Sequence, residues 1–186
     1  MSVTDSTLKD TSNTLPATAQ VLIQRGKITE NIANELMQRV RQSRSNFIAE
    51  VINAGHIDAA DMAFTLAQTF ALPLLDIAAV DKTKLRKDLI DRKLAAECKI
   101  VALAKKNGRL IVATADPSDQ VAAQKLKFAI QLPIDWVVVE YTKLTALIAE
   151  LGTSASESLD KLTAGGDFNS DDITGGADAD EAAGAR

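Results

Sequence analysis

Four groups of side chains in this sequence are of types that can do chemistry. A lone histidine, His56, could act as a general base or a metal ligand, and a lone cysteine, Cys98, as a nucleophile. The carboxylates of Asp116 and Asp119, three residues apart, could hold a hard cation such as Ca²⁺. A small basic patch, which could contact an anion, consists of Lys105, Lys106 and Arg109.

A structural interpretation suffices for each of these groups, and we interpret the basic patch as a solvated turn. His56 follows a glycine in a predicted turn with no second His or Cys nearby, so we interpret it as a solvated polar residue. Cys98 has no basic partner placed by the sequence to lower its pKa, and we interpret it as a small buried hydrophobe. Asp116 precedes Pro117, which predicts a helix cap rather than a metal ligand. The sequence therefore predicts no catalytic residue, no cofactor site and no metal site.

Glycine-rich loops that bind phosphate are also absent from the sequence. Gly26-Lys27 is followed by Ile28 and has no earlier glycine, so it does not match a P-loop. Two glycine pairs, Gly165-Gly166 and Gly175-Gly176, lie in an acidic segment that would repel anions.

Composition and charge limit the function classes further. The chain has 186 residues, one cysteine and a net charge of −4. Residues 153–186 carry eight carboxylates and two cations, which leaves +2 for residues 1–152 and too few cations to bind nucleic acid. The single cysteine excludes an internal disulfide, and the chain has neither a signal peptide pattern nor a membrane-spanning apolar run. We expect a soluble, cytoplasmic protein without direct membrane insertion.

A predicted β-hairpin organises the second half of the chain. Ile100–Ala104 and Leu110–Ala115 read as strands, and Asn107-Gly108 between them is typical of a type I′ turn. The predicted register sets Leu103 opposite Val112 and Val101 opposite Thr114.

The first half contains a repeated helical pattern. Residues 22–29 are echoed by residues 51–58 at a period of 29 residues, with Gly26 and Gly55 as helix C-caps and Thr29 and Asp58 as N-caps. Two such units predict a four-helix assembly. Its last helix is predicted to bury Met62, Ala63, Leu66, Ala67 and Phe70.

Around the hairpin we predict a helix over residues 88–97, a helix ended by Pro133, a parallel strand from Ile134 and a last helix ending at Gly152. The helix before Pro133 is marked by Val121, Ala122, Lys125, Leu126, Ala129 and Ile130. The predicted fold class is α+β. Its parts are a flexible N-terminus (1–14), a helical subdomain (15–76), an α/β subdomain (77–152) and a disordered acidic linker (153–186).

Five separated features resemble, in family order, the N-terminal domain of the ATPases of type II secretion and type IV pilus assembly. The resemblance covers Leu15 to Leu151 and is carried by Phe70–Asp76, Lys99–Leu103, Gly108–Ala113, Asp116-Pro117 and Leu126–Phe128. In that family the P-loop domain lies C-terminal to this region. The resemblance thus implies a non-enzymatic regulatory and docking domain of a hexameric pilus extension ATPase, active in twitching motility.

The same resemblance implies that the partners are inner-membrane platform components or cytoplasmic PilZ-type regulators. Through such partners the protein would be located at the periphery of the inner membrane. The contact surface is expected among apolar residues, either near Val21 or around Leu72, Pro73 and Leu74.

An alternative is a cyclic di-GMP receptor, because some relatives bind that ligand through a duplicated motif beginning Arg-Leu-Gly. Here the triplets read Ala17-Thr18-Ala19 and Asn46-Phe47-Ile48. They lack the arginines that pair with phosphate or stack on guanine, which argues against cyclic di-GMP. A third hypothesis, a small stand-alone enzyme, would need a pocket that joins His56 to carboxylates.

Overall fold

In a computed structural model, which describes residues 15–164, seven α-helices and a three-stranded sheet form an α+β fold with a helical first half, as predicted. The helices are α1 (Ala17–Gln24), α2 (Glu30–Ser43), α3 (Phe47–Asn53), α4 (Ala59–Thr69), α5 (Arg92–Cys98), α6 (Gln120–Ala129) and α7 (Tyr141–Ala164). The strands are β1 (Ile100–Lys106), β2 (Arg109–Thr114) and β3 (Ile134–Val138). Short 3₁₀ turns occupy Ile77–Ala79 and Lys82–Lys84. The predicted flexible N-terminus, residues 1–14, lies outside the described residues.

The repeated turns of the helical half are confirmed. Gly26 (φ 66°) and Gly55 (φ 73°) each end a helix in the left-handed conformation. The N–H of the following residue donates to the carbonyl oxygen five residues earlier, at 2.9 Å and 3.3 Å, which is a Schellman turn. The side chains of Thr29 and Asp58 then accept backbone N–H groups at the starts of α2 and α4. The four helices bury one aliphatic cluster that contains Leu22, Leu36, Ile48, Val51, Met62 and Leu66.

The sheet has the order β1-β2-β3, and both of its faces are buried. β1 and β2 are antiparallel, while β2 and β3 are parallel, which confirms the predicted crossover through α6. The face toward α7 buries Val101, Leu103 and Ala113 with Leu144 and Leu147. The face toward α6 buries Ile100, Ala102, Leu110 and Val112 with Ala122 and Leu126.

The hairpin turn is confirmed, but the predicted strand register is wrong. Asn107 (φ 51°) and Gly108 (φ 74°) adopt the conformations of a type I′ turn. Farther from the tip, the register shifts by one residue at Leu103, so that Ala102 rather than Leu103 lies opposite Val112. The prediction assumed an uninterrupted ladder, whereas this β-bulge moves every later residue by one position. As a result Val101 pairs with Ala113, not with Thr114.

The helix starts in the second half also differ from prediction. Asp119, not Asp116, caps α6, because its Oδ1 accepts the N–H of Ala122 at 2.9 Å. Asp116 instead accepts the N–H of Ser118 at 3.0 Å within the preceding turn. Likewise α5 begins later than expected, after the capping side chain of Asp91.

The last helix was predicted to end at Gly152, which is wrong, because α7 continues to Ala164. Part of the segment predicted as a linker is therefore helical, and residues 165–186 lie outside the described residues. No helix within residues 15–164 has the length and apolar character needed to cross a bilayer.

Candidate protein-docking surface

The segment that follows α4 is attached to the outer edge of β3. The N–H of Leu75 donates to the carbonyl oxygen of Val138 at 2.9 Å, and the N–H of Val138 donates to that of Pro73 at 2.8 Å. These two bonds form a parallel bridge between Leu74 and Val138. The backbone on either side of Leu74 is therefore fixed by the sheet.

The four predicted contact residues lie in different environments. Val21 is only 8% exposed and belongs to the helical cluster, and Leu72 is half-buried against the same cluster. Pro73 is exposed, and Leu74 is 48% exposed. Of the four, Pro73 and Leu74 are thus exposed to solvent, whereas Val21 is not.

A shallow cleft of about 300 Å³ lies beside Leu74, and we call it the α4 cleft. Its lining residues are Ala60, Ala63, Leu74, Leu75, Asp76, Glu140 and Lys143. Ala60 and Ala63 are one helical turn apart on α4, so two small side chains face the cleft and leave space in it. Phe64, which follows Ala60 by four residues on the same helix, is 50% exposed. An exposed apolar area therefore adjoins the cleft.

One end of the α4 cleft carries an ion-pair cluster. Nζ of Lys143 lies 3.2 Å from Oδ1 of Asp76 and 3.2 Å from Oε2 of Glu140. The pKa of Asp76 is lowered, first by the N–H of Ala78 and then by Lys143. The pKa of Lys143 is raised, chiefly by hydrogen bonds to the two carboxylates. Two carboxylates share one ammonium group, which leaves this end of the cleft negative.

A second apolar area lies on the outer face of α6. Val121 is 62% exposed and Phe128 is 87% exposed, and their seven-residue separation places them on the same side of the helix. Val121 is one of the residues whose pattern predicted this helix, and it lies on the exposed side. The buried residues of this helix and its end are Ala122, Leu126 and Ile130, whose four-residue spacing fits one stripe.

The structure does not bring the chemistry-bearing side chains together. His56 is exposed in its turn, while Cys98 is buried, and burial raises the pKa of its thiol. Arg109, expected in a basic patch, is paired with Asp135 through Nε and Nη2 at 2.5–2.9 Å. Within the described residues, no group of three or more His, Cys, Asp or Glu side chains could hold a metal ion.

A comparison with known protein families finds a match in the second part of the chain. Residues 70–158 match the model of the MshEN domain. This chain contains an MshEN domain. Of the residues that line the α4 cleft, Leu74, Leu75, Asp76, Glu140 and Lys143 lie within that match, while Ala60 and Ala63 precede it.

Two curated relatives are type IV pilus assembly ATPases. The type IV pilus assembly ATPase PilB of Acinetobacter baylyi is 26% identical over 129 residues, a match that covers 69% of this chain and 22% of that protein. PilB of Pseudomonas aeruginosa is 22% identical over 145 residues, covering 78% and 26%. The chain thus spans about a quarter of the length of these relatives. It is homologous to the N-terminal region of such ATPases, which confirms the resemblance seen in its motifs.

Solved structures share the fold. A structure of MshE with cdg has a TM-score of 0.54 and 18% identity, covering 72% of this chain and 96% of that one. The N-terminal domain of XpsE has a TM-score of 0.55 and 20% identity, covering 71% and 91%. The matches concern the N-terminal domain of these ATPases and not a catalytic P-loop domain.

Proposed function

We propose that this chain is a non-catalytic regulatory and docking domain of a type IV pilus extension ATPase. It would couple the motor to an inner-membrane platform component or a PilZ-type regulator. The exposed Leu74 on a fixed backbone is the observation that carries the proposal, together with the homology to pilus ATPases.

The energetics of Leu74 favour docking. About half of this side chain is still open to water, and so is half of Phe64. Covering the rest of such a side chain contributes on the order of 1 kcal/mol. Because the bridge to Val138 already holds the backbone of Leu74, a partner loses little affinity to the ordering of this segment.

The test is capture of the candidate partners by the full 186-residue chain. We expect the chain to bind a platform component or a PilZ-type regulator, and we expect Leu74→Glu to lower that binding at least tenfold, since a buried carboxylate without a partner is costly. Phe128→Glu is the matched control, because it places the same charge on another exposed apolar residue, on α6. Equal binding by wild type, Leu74→Glu and Phe128→Glu, with unchanged circular dichroism, would contradict the proposed surface.

Cyclic di-GMP binding is a second candidate function. It is favoured by the likeness to MshE, whose structure was solved with cdg, and by the two glycine turns that repeat in the helical half. Against it, Ala17 and Asn46 stand at the arginine positions of the two triplets and offer no cation to a phosphate, and Thr18, Ala19 and Ile48 beside them are fully or almost fully buried.

Calorimetry of the full chain with cyclic di-GMP decides this second candidate. Saturable heat at micromolar ligand would support it. Gly26→Ala tests whether the repeat is the site, because the strained turn would shift without any change in surface charge. Absence of saturable heat at millimolar ligand would rule the candidate out.

A further inference from the structure

The α4 cleft has two chemically different ends, and this difference limits what can occupy it. Its apolar part is formed by Ala60, Ala63, Leu74 and Leu75. Its polar end is formed by Asp76, Glu140 and Lys143. At about 300 Å³ it is at the lower limit for ligand pockets, so it has room for one or two side chains rather than a large ligand.

The charges around the cleft favour a cationic group. Lys143 is already shared between Asp76 and Glu140. Of the residues that line the cleft, two are carboxylates and one is an ammonium group, a net charge of −1, whereas residues 1–152 as a whole carry +2. This local excess of negative charge disfavours a phosphate or an acidic peptide.

The carboxylate of Glu140 is held in place before any partner arrives. Its Oε1 accepts the hydroxyl of Thr142 at 2.6 Å, and its Oε2 lies 3.2 Å from Lys143. Its side chain is 22% exposed, so it keeps access to solvent at the cleft. Little conformational entropy is lost when such a carboxylate accepts a further cation.

We propose that the α4 cleft binds an amphipathic helix of a partner protein that inserts an apolar side chain beside Leu74 and presents a Lys or Arg to Asp76 and Glu140. This inference rests on the proposed docking function and adds the chemistry of the partner. The small side chains of Ala60 and Ala63 allow a partner helix to approach α4 closely, since the distance between packed helices depends on the side chains at their contact. Apolar anchors at helical spacing are how a helix occupies such a groove.

A second copy of this chain does not fit the charge pattern. Depending on the direction of the axis, a two-fold contact through the cleft would either bring the Asp76 and Glu140 carboxylates of the two copies together or press them against the apolar part of the other copy, where they find no further cation. Like charges brought together in this way oppose association.

The experiment selects binders from a displayed library of short amphipathic helices on the full 186-residue chain. Cleft-dependent helices are those that lose binding to Leu74→Glu but keep binding to Phe128→Glu. We expect these helices to share an apolar pair and a Lys or Arg within one turn of it. We further expect the double variant Asp76→Asn, Glu140→Gln, which preserves shape and hydrogen-bond acceptors, to bind them about three- to tenfold more weakly.

Two outcomes would overturn the inference. One is that cleft-dependent helices carry no excess of Lys or Arg, or bind Asp76→Asn, Glu140→Gln as well as wild type. The other is that no selected helix depends on Leu74. Failure of the proposed docking function gives a different result from failure of this inference. In that case the wild-type chain captures none of the candidate partners, whatever charge the selected helices carry. Conversely, a partner captured through Leu74 but indifferent to the double variant would keep the docking function and remove this occupant.

Discussion

A partly buried hydrogen bond between the helical half and the sheet-containing half of the fold gives the sharpest stability prediction. Thr18 on α1 is 0% exposed, and its Oγ1 donates to Oδ1 of Asp116 at 2.9 Å. Asp116 lies in the loop after β2, so this bond joins segments 98 residues apart in sequence. The hydroxyl of Ser118 is 2.8 Å from that of Thr18 and belongs to the same cluster.

Thr18→Val removes the hydroxyl and keeps the shape of the side chain. Asp116 still accepts the N–H of Ser118 at 3.0 Å and its hydroxyl at 2.6 Å, so no carboxylate is left without a partner. The expected loss is about 1–2 kcal/mol of the free energy of unfolding, near the lower end for a hydrogen bond to a charged group, because this bond is only partly buried. For a chain of this size, that lowers Tm by roughly 2–8 °C.

Urea unfolding at equilibrium measures the loss, with an unchanged m value as the sign that only stability has changed. Thr83→Val is the matched control, because Oγ1 of Thr83 also donates to an aspartate, Asp81, at 2.6 Å, but at an exposed site two residues away. We expect the control to stay within about 0.5 kcal/mol of wild type. Equal losses in the two variants would refute the reasoning that burial and long-range connection give the Thr18 bond its value.

Two further predictions concern backbone conformation and charge. Gly26→Ala and Gly55→Ala should each lower the free energy of unfolding by about 1 kcal/mol, because φ is positive at both positions. Gly152→Ala should raise it by roughly 0.5–1 kcal/mol, because Gly152 lies within α7 and the new methyl group has open space around it. Thermal melts that give the same sign at all three positions would contradict this prediction. The pKa of Asp135 is lowered chiefly by its hydrogen bonds to Arg109, so the pair stabilises the fold fully above the ordinary carboxyl pKa and loses that effect as the pH falls through the lowered value. Arg109→Gln should move the Asp135 pKa back up in an NMR titration, and an unchanged value would mean that the pair does not persist in solution.

Local signals in the sequence were sufficient to predict turns whose own residues determine the backbone conformation. Asn107-Gly108 and the repeated glycines Gly26 and Gly55 need positive φ, and few residue types supply it. The bulge at Leu103 had no such signal, since it depends on how the two faces of the sheet are covered. Similarly, Gly152 looked like a helix end, yet one glycine costs an α-helix only about 1 kcal/mol, which the flanking turns can offset.

The candidate site was only partly visible in the sequence. Val21 and Leu74 are both aliphatic residues in apolar runs, and only tertiary packing shows that one is buried while the other is presented at the edge of β3. The polar end of the α4 cleft could not be predicted, because Asp76 and Lys143 are 67 residues apart and meet only through the fold.

Because of where the α4 cleft lies, a partner that binds in it should increase the stability of the folded chain. The walls of the cleft come from α4 of the helical half and from residues of the MshEN domain, which are the two parts that the Thr18–Asp116 bond also joins. A partner that binds only when both walls are in place stabilises the folded state by RT ln(1 + [L]/Kd), about 2.7 kcal/mol at a hundredfold excess over Kd. That gain exceeds the loss expected for Thr18→Val. A partner held in the cleft should therefore restore the Tm of Thr18→Val to at least that of the unbound wild type, and it should have no such effect when Leu74→Glu is introduced into the same chain.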